Sequence, residues 1–180
     1  MTPVEVQDIL VDEIKLIFRD YAYKNREGKR VPLNVYAQDV PIIQTPPPIA
    51  DYTNDSEYTE YEEEDEDDNI PVPYIIVRIS SGGYDGKNDD SNNELNFVII
   101  VNIFEDEIPN NNGYRDVLNI MQKIYERFAK QPDLRKIARF NGKWEFALQE
   151  DNYYPFHIGA CNMTFDIPAI REEVYYSDYC

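Results

Sequence analysis

The stretch NNNGYRDVLNIMQKIYERFAK, Asn110 to Lys130, follows closely on ELNFVIIVNIFED, Glu94 to Asp106, and the pair decides the fold. Val117, Leu118, Met121, Ile124, Tyr125 and Phe128 recur at the three-and-four spacing of one helical face. Asn112 is placed to cap that helix, and Pro132 follows its end. The preceding segment is the most apolar strand pattern in the chain. A buried strand feeding a one-faced helix is a packing unit, so the core is expected to centre here. None of these residues has the chemistry of a reactive group.

The chain has 180 residues, 42% hydrophobic and 13% aromatic, enough to bury one sizeable core. One domain spanning 1–180 is expected, with a Pro/acid-rich insertion at 45–73 inside it. Fifteen tyrosines carry much of the aromatic content. They suit half-buried sheet positions and contact surfaces equally, because each joins an apolar ring to a polar tip.

Net charge is −18, which excludes a general DNA-coating role, since such binding runs on counterion release by Lys and Arg. Ten of the carboxylates lie in DSEYTEYEEEDEDD, Asp55 to Asp68, leaving −18 + 10 = −8 for the rest. The run sits within TPPPIADYTNDSEYTEYEEEDEDDNIPVP, Thr45 to Pro73, which has too little apolar surface to offset the entropy of ordering it. A solvated, disordered insertion between two strands is expected. A dock for a basic partner, or a lining that repels nucleic acid, is the functional version of the same feature. A DNA mimic requires charge fixed on a rigid surface, and ranks last.

At the start, Thr2, Pro3 and Glu5 spell a capping box with proline at the first helical position. Val6, Ile9, Leu10, Ile14, Ile17, Phe18 and Tyr21 then line one helical face. Lys24, Arg26, Lys29 and Arg30 come just after, where the dipole of a helix C-terminus favours cations; a basic docking patch is the alternative. Val31 to Ile43 reads as one extended segment bounded by prolines. Tyr74–Ser80 and Leu95–Phe104 are expected to pair as an antiparallel hairpin across the long loop SGGYDGKNDDSNNE, Ser81 to Glu94. Asn141-Gly142 lies between Ile137–Phe140 and Lys143–Leu148 and predicts a second, tight hairpin. Tyr154 to Ile167 reads as a last strand, with Gly159 as a bulge. The sum is an α+β fold: a mostly antiparallel sheet flanked by two helices on one face, with a long acidic insertion and an extended hairpin loop.

Catalytic patterns fail one by one. His157 is the sole histidine, and a lone strand histidine is ordinarily a packed sheet residue. No Ser or Cys has a nucleophile-elbow context. Cys161 and Cys180 make neither a disulfide framework nor a metal quartet. Counted from Asp85, Lys87 occupies a ligand position of a calcium loop. Gly82-Gly83 lacks the following helix and Lys-Ser/Thr of a phosphate loop. The expectation is a non-enzymatic protein with no cofactor and no metal. It has no secretory leader pattern and no apolar run near membrane-spanning length, so it is expected to be soluble in a reducing cytoplasm.

PYIIVRISSGG, NFVIIVNIFEDE, GYRDVLNIMQKIYERF, the strand with Trp144, and YYPFHIGACNMTFDIPAIREE together resemble the tail terminator (tail completion) proteins of double-stranded DNA phages. The likeness runs from about Ile70 to Glu173; the acidic insertion and Tyr-rich tail fall outside it. The resemblance implies a homo-oligomeric ring, commonly a hexamer, at the head-proximal end of the tail tube. Such a ring binds the tail tube protein, stops its polymerisation and offers a surface to neck and connector proteins. Viral DNA passes through the lumen without sequence-specific binding. The protein would then reside in the virion tail, and in the host cytoplasm during assembly. The surfaces expected to reach other proteins or the lumen are the hairpin loop at Tyr84, Asp85, Lys87 and Asn88, and the acidic run at Glu62, Glu63, Glu64 and Asp65. A neck or head–tail connector protein is the alternative within the virion. A cytosolic acidic binding module, or a DNA mimic acting on a basic protein, is the alternative outside it.

Overall fold

A computed structural model describes residues 2–41, 71–83, 93–107, 112–151 and 153–168. The elements run α1 (Pro3–Ile17), β1 (Ala22–Lys24), β2 (Arg30–Pro32), β3 (Asn34–Ala37), β4 (Tyr74–Gly83) and β5 (Asn93–Phe104). After these come α2 (Gly113–Lys130), β6 (Asp133–Leu134), β7 (Ala138–Leu148) and β8 (Phe156–Ile167). Strands β3-β4-β5-β8-β7-β6 form one sheet, and β1-β2 a separate ribbon. Within the six-stranded sheet only β3 and β4 are parallel; the other four pairings are antiparallel. The fold is α+β, as the order of strand and helix patterns predicts.

Strand alternation sorts the side chains. Ile75 and Val77 of β4, Phe97, Ile99 and Val101 of β5, and Cys161, Met163 and Phe165 of β8 are buried in one cluster with both helices. α1 contributes Val6, Leu10 and Ile14, and α2 contributes Val117, Ile120, Met121, Ile124 and Phe128. Because successive strand side chains point to opposite faces, both helices lie on the same face of the sheet. The capping box at Thr2 and Glu5 is made in full, each side chain bonding the other's backbone amide. Asn112 occupies the N-cap of α2, but its side chain makes no capping hydrogen bond.

Several local expectations are corrected. Asn141-Gly142 is not a hairpin: β7 runs through it, and residues on both sides pair with β8. Phe140 pairs with Phe165 and Trp144 with Met163, so β7 spends four steps where β8 spends two. Gly142, at φ 87°, absorbs the excess as a bulge. The tight turn lies instead at Arg135-Lys136, with φ of 44° and 62°, where the Ile137 amide donates to the Leu134 carbonyl at 2.9 Å. Positive φ without Gly or Asn is uncommon, which is why no turn signal is visible in the letters. Gly159 is unbulged in the β5–β8 ladder. A Cβ there would meet Val117 Cγ1 at 2.6 Å, so this glycine lets α2 approach the sheet. The expected Val31–Ile43 segment divides into β2 and β3, and Gln38 at φ 67° ends the latter. Lys24 and Arg30 are not at the end of α1; they pair with each other across β1–β2, whose turn is closed by Asn25 and Gly28.

Candidate functional site

The face of the sheet opposite the helices has two chemistries. At one end Tyr74 and Ile76 are buried against Tyr36, Ile100, Phe104 and Phe156. At the other end the alternation exposes small polar groups. The Thr164 hydroxyl donates to Asn96 Oδ1 at 2.7 Å, and Asn96 Nδ2 donates to Ser81 Oγ at 3.0 Å. Ser80, Asn162, Lys143 and Glu145 complete the walls of a groove of about 650 Å³ here. Asn96, Ser81 and Thr164 thus pair with one another along the groove floor.

The second feature is a seam between α2 and the edge strand β7. Trp144 stacks on Tyr125 of α2 at 4.8 Å between ring centroids and lies 4.9 Å from Phe146. Phe146 is 52% exposed, and the exposed Tyr114 and Tyr153 line a cleft with Leu148, the last residue of β7. β6 pairs only with Ala138 and Arg139, so Asn141–Leu148 has no outer strand among the described residues. An open aromatic edge of this length is a liability for a solitary molecule. Burial pushes the thiol of Cys161, opposite Phe146 in β8, up to about 12, with Trp144 acting in the opposite direction. It is a core residue with no thiolate character near neutrality.

A third feature is a charged cluster at the start of α2. Lys24 Nζ reaches Glu107 at 2.6 Å, Glu105 at 3.3 Å and Asp106 at 3.8 Å. The hydrogen bond to Glu107 is the main reason the Lys24 ammonium titrates above its ordinary range. Asp116, Tyr23 and Arg30 line the small cavity beside it, about 220 Å³ in volume. Burial is the largest influence on Asp116 and raises its pKa, aided by Glu105 and opposed by Arg30 and His157. Burial likewise raises the Tyr23 phenol to about 12, with Asp116 adding to it.

The sign for Asp116 follows from linkage. Its folded pKa is raised, so the stability it contributes is present below the unfolded carboxylate value and lost as pH climbs through the folded one. Asp116→Asn holds the side chain neutral throughout. Its urea midpoint, measured relative to the original protein, is expected to rise as pH climbs above the ordinary aspartate value of about 3.9 and through the raised folded one. A relative midpoint that falls over that window would mean the α2 dipole and Arg30 outweigh desolvation.

The residues expected from sequence to reach partners, Tyr84, Asp85, Lys87, Asn88, Glu62, Glu63, Glu64 and Asp65, lie outside the described residues. Their attachment points are described. Residues 84–92 connect Gly83 to Asn93, and Asn93 is paired with Ile167, after which the chain continues to 169–180. Gly83, Asn93 and Ile167 therefore lie at one end of the sheet. The described residues carry 15 basic and 18 acidic side chains, 15 − 18 = −3, so the remainder carries −18 + 3 = −15. The β7 edge and its aromatic seam were not singled out from sequence. The alternation of Trp144, Phe146 and Leu148 was visible, but the false hairpin at Asn141-Gly142 hid which strand is at the edge.

Among the described residues no group of three or more His, Cys, Asp or Glu is placed to hold a metal ion. No described helix is long and apolar enough to cross a membrane. Fold and surface thus define a two-layer α+β domain with both helices on one sheet face and, among the described residues, no strand outside Asn141–Leu148. Neither a scan against protein-family models nor a search of curated proteins finds a match for the chain.

Proposed function

We propose that this protein is a structural component of a phage virion, a tail terminator whose copies form a ring on the head-proximal end of the tail tube. The supporting observation is that the stretches resembling terminators are β4, β5, α2, β7 and β8. These are four neighbouring strands of the sheet and the helix packed on them, in one unit. The charge distribution fits the same role. A nearly balanced body with −15 concentrated in its remaining segments could face a lumen that DNA traverses without adhering, since like charges repel there. The action is occlusion and docking, with no bond made or broken.

The test is a tube-polymerisation assay with purified tail tube protein. Substoichiometric amounts of this chain are expected to halt elongation, with a ring visible at one tube end by electron microscopy. Six copies would have a mass six times 21.2 kDa. Tubes that lengthen at the same rate, with no end-bound density, would refute the proposal.

A further inference from the structure

We propose that copies of this chain join head to tail by strand pairing, β7 of one copy receiving β3 of the next. The inference deepens the ring reading above and rests on it for the number of copies. β3 and β7 are the two long-range edges of the sheet, and neither has a described outer partner along β3 or along residues 141–148.

Strand direction favours this junction. β3 and β4 run the same way, β5 is reversed, β8 runs with β4, and β7 is reversed again. A second copy added in the same orientation therefore brings its β3 antiparallel to β7, the more stable pairing. The covered faces then align: Val35, buried against the helices in its own copy, joins the row of Trp144 and Phe146. Aromatic and β-branched neighbours across strands are mutually stabilising. Antiparallel pairing also carries Asp39, just beyond β3, toward the Arg139 and Lys143 end of β7. Their side chains are 77%, 67% and 66% exposed, respectively. A contact between two different edges is heterologous, and such contacts close into rings when the rotation permits.

The backbone donors are available. The Gln149 amide donates inward to the Ile158 carbonyl at 3.0 Å. Antiparallel parity sends the amides of Ala147 and Glu145 inward as well, leaving that of Phe146 directed away from β8. Phe146→Pro removes this outward donor while leaving the β7–β8 ladder whole. The substitution is expected to raise the concentration needed for half-assembly at least tenfold, read by light scattering, with an unchanged thermal midpoint.

A covalent test reads the geometry directly. In full-length Cys180→Ser protein, Tyr36→Cys is combined in turn with Lys143→Cys, Glu145→Cys or Ala147→Cys, then oxidised. At least one pair is expected to give a ladder of two, three and more chains on a non-reducing gel, while each single substitution stops at two. Absence of any ladder overturns the inference. So does efficient dimerisation of Glu145→Cys alone, which would assign β7 to pair with itself. If no ladder forms while tubes are still capped, only the strand pairing falls. If the ladder forms without capping, the terminator reading falls and the pairing stands.

Discussion

Phe165→Ala is expected to cost about 3–5 kcal/mol, the largest loss from any single truncation in this core. Phe165 is fully buried in β8 and touches three other rings. Its centroid lies 5.8 Å from Phe97, 5.3 Å from Phe128 and 5.7 Å from Phe140. Those partners belong to β5, α2 and β7, so one ring holds both neighbouring strands and the hub helix together. Two of the contacts are edge-to-face, each adding roughly 0.5–1.5 kcal/mol beyond area burial. The cavity left behind is closed only in part, because three of the side chains around it are rings held by their own strands and helix. For a domain of this size a total stability of about 5–15 kcal/mol is ordinary, so the variant is expected to be marginal. The melting midpoint should fall by roughly 6–20 °C, at about 2–4 °C per kcal/mol. Phe146→Ala, on the exposed edge, should change stability by no more than about 0.5 kcal/mol. Comparable losses for the two would mean that the core does not centre on β8.

The hub helix and the paired strands before it were legible because their signals are redundant. Six apolar positions at helical spacing between Val117 and Phe128, and an apolar run from Leu95 to Ile103 broken only by Asn96 and Asn102, each survive one contrary residue. The capping box was legible because Thr2 and Glu5 act within one turn of each other. Signals that depend on tertiary partners were misread. Asn141-Gly142 has turn-forming letters, but β8 supplies a template that keeps β7 extended and makes a bulge instead. Lys24 looked like a helix-end cation because its partners, Glu105 to Glu107, lie about eighty residues away in sequence. Gly159 carries no local sign that Val117 and Met121 press against it. The polar groove and the aromatic edge are likewise products of strand order. That order, β3-β4-β5-β8-β7-β6, places the last strand in the middle, and no local pattern states it.

Gly113→Ala should destabilise the protein by about 1–3 kcal/mol, although helix propensity points the other way. Within a helix, alanine ordinarily gains about 0.5–1 kcal/mol over glycine by restricting the unfolded chain. Gly113 opens α2, is buried, and has the His157 ring lying directly against it. A Cβ would fall 2.1 Å from His157 Cδ2 and 2.4 Å from Cγ, too close for any real contact. Relief requires the imidazole to swing away or the first turn of α2 to lift. His157 is fixed by its place in β8 opposite Ile103, and its ring is wedged over the helix start. Its Nε2 is buried without a hydrogen-bond partner among the described residues, so none is lost at that atom when the ring is removed. His157→Ala should therefore be mild by itself and should make room for the new methyl group. The double variant is expected to recover most of the loss, giving a coupling of about 1–3 kcal/mol between the two sites in a urea-denaturation cycle. Gly113→Ala protein as stable as the original would show that the first turn of α2 yields freely. In that case the close approach of the helix at Gly159, rather than the His157 contact, would fix the position of α2 on the sheet.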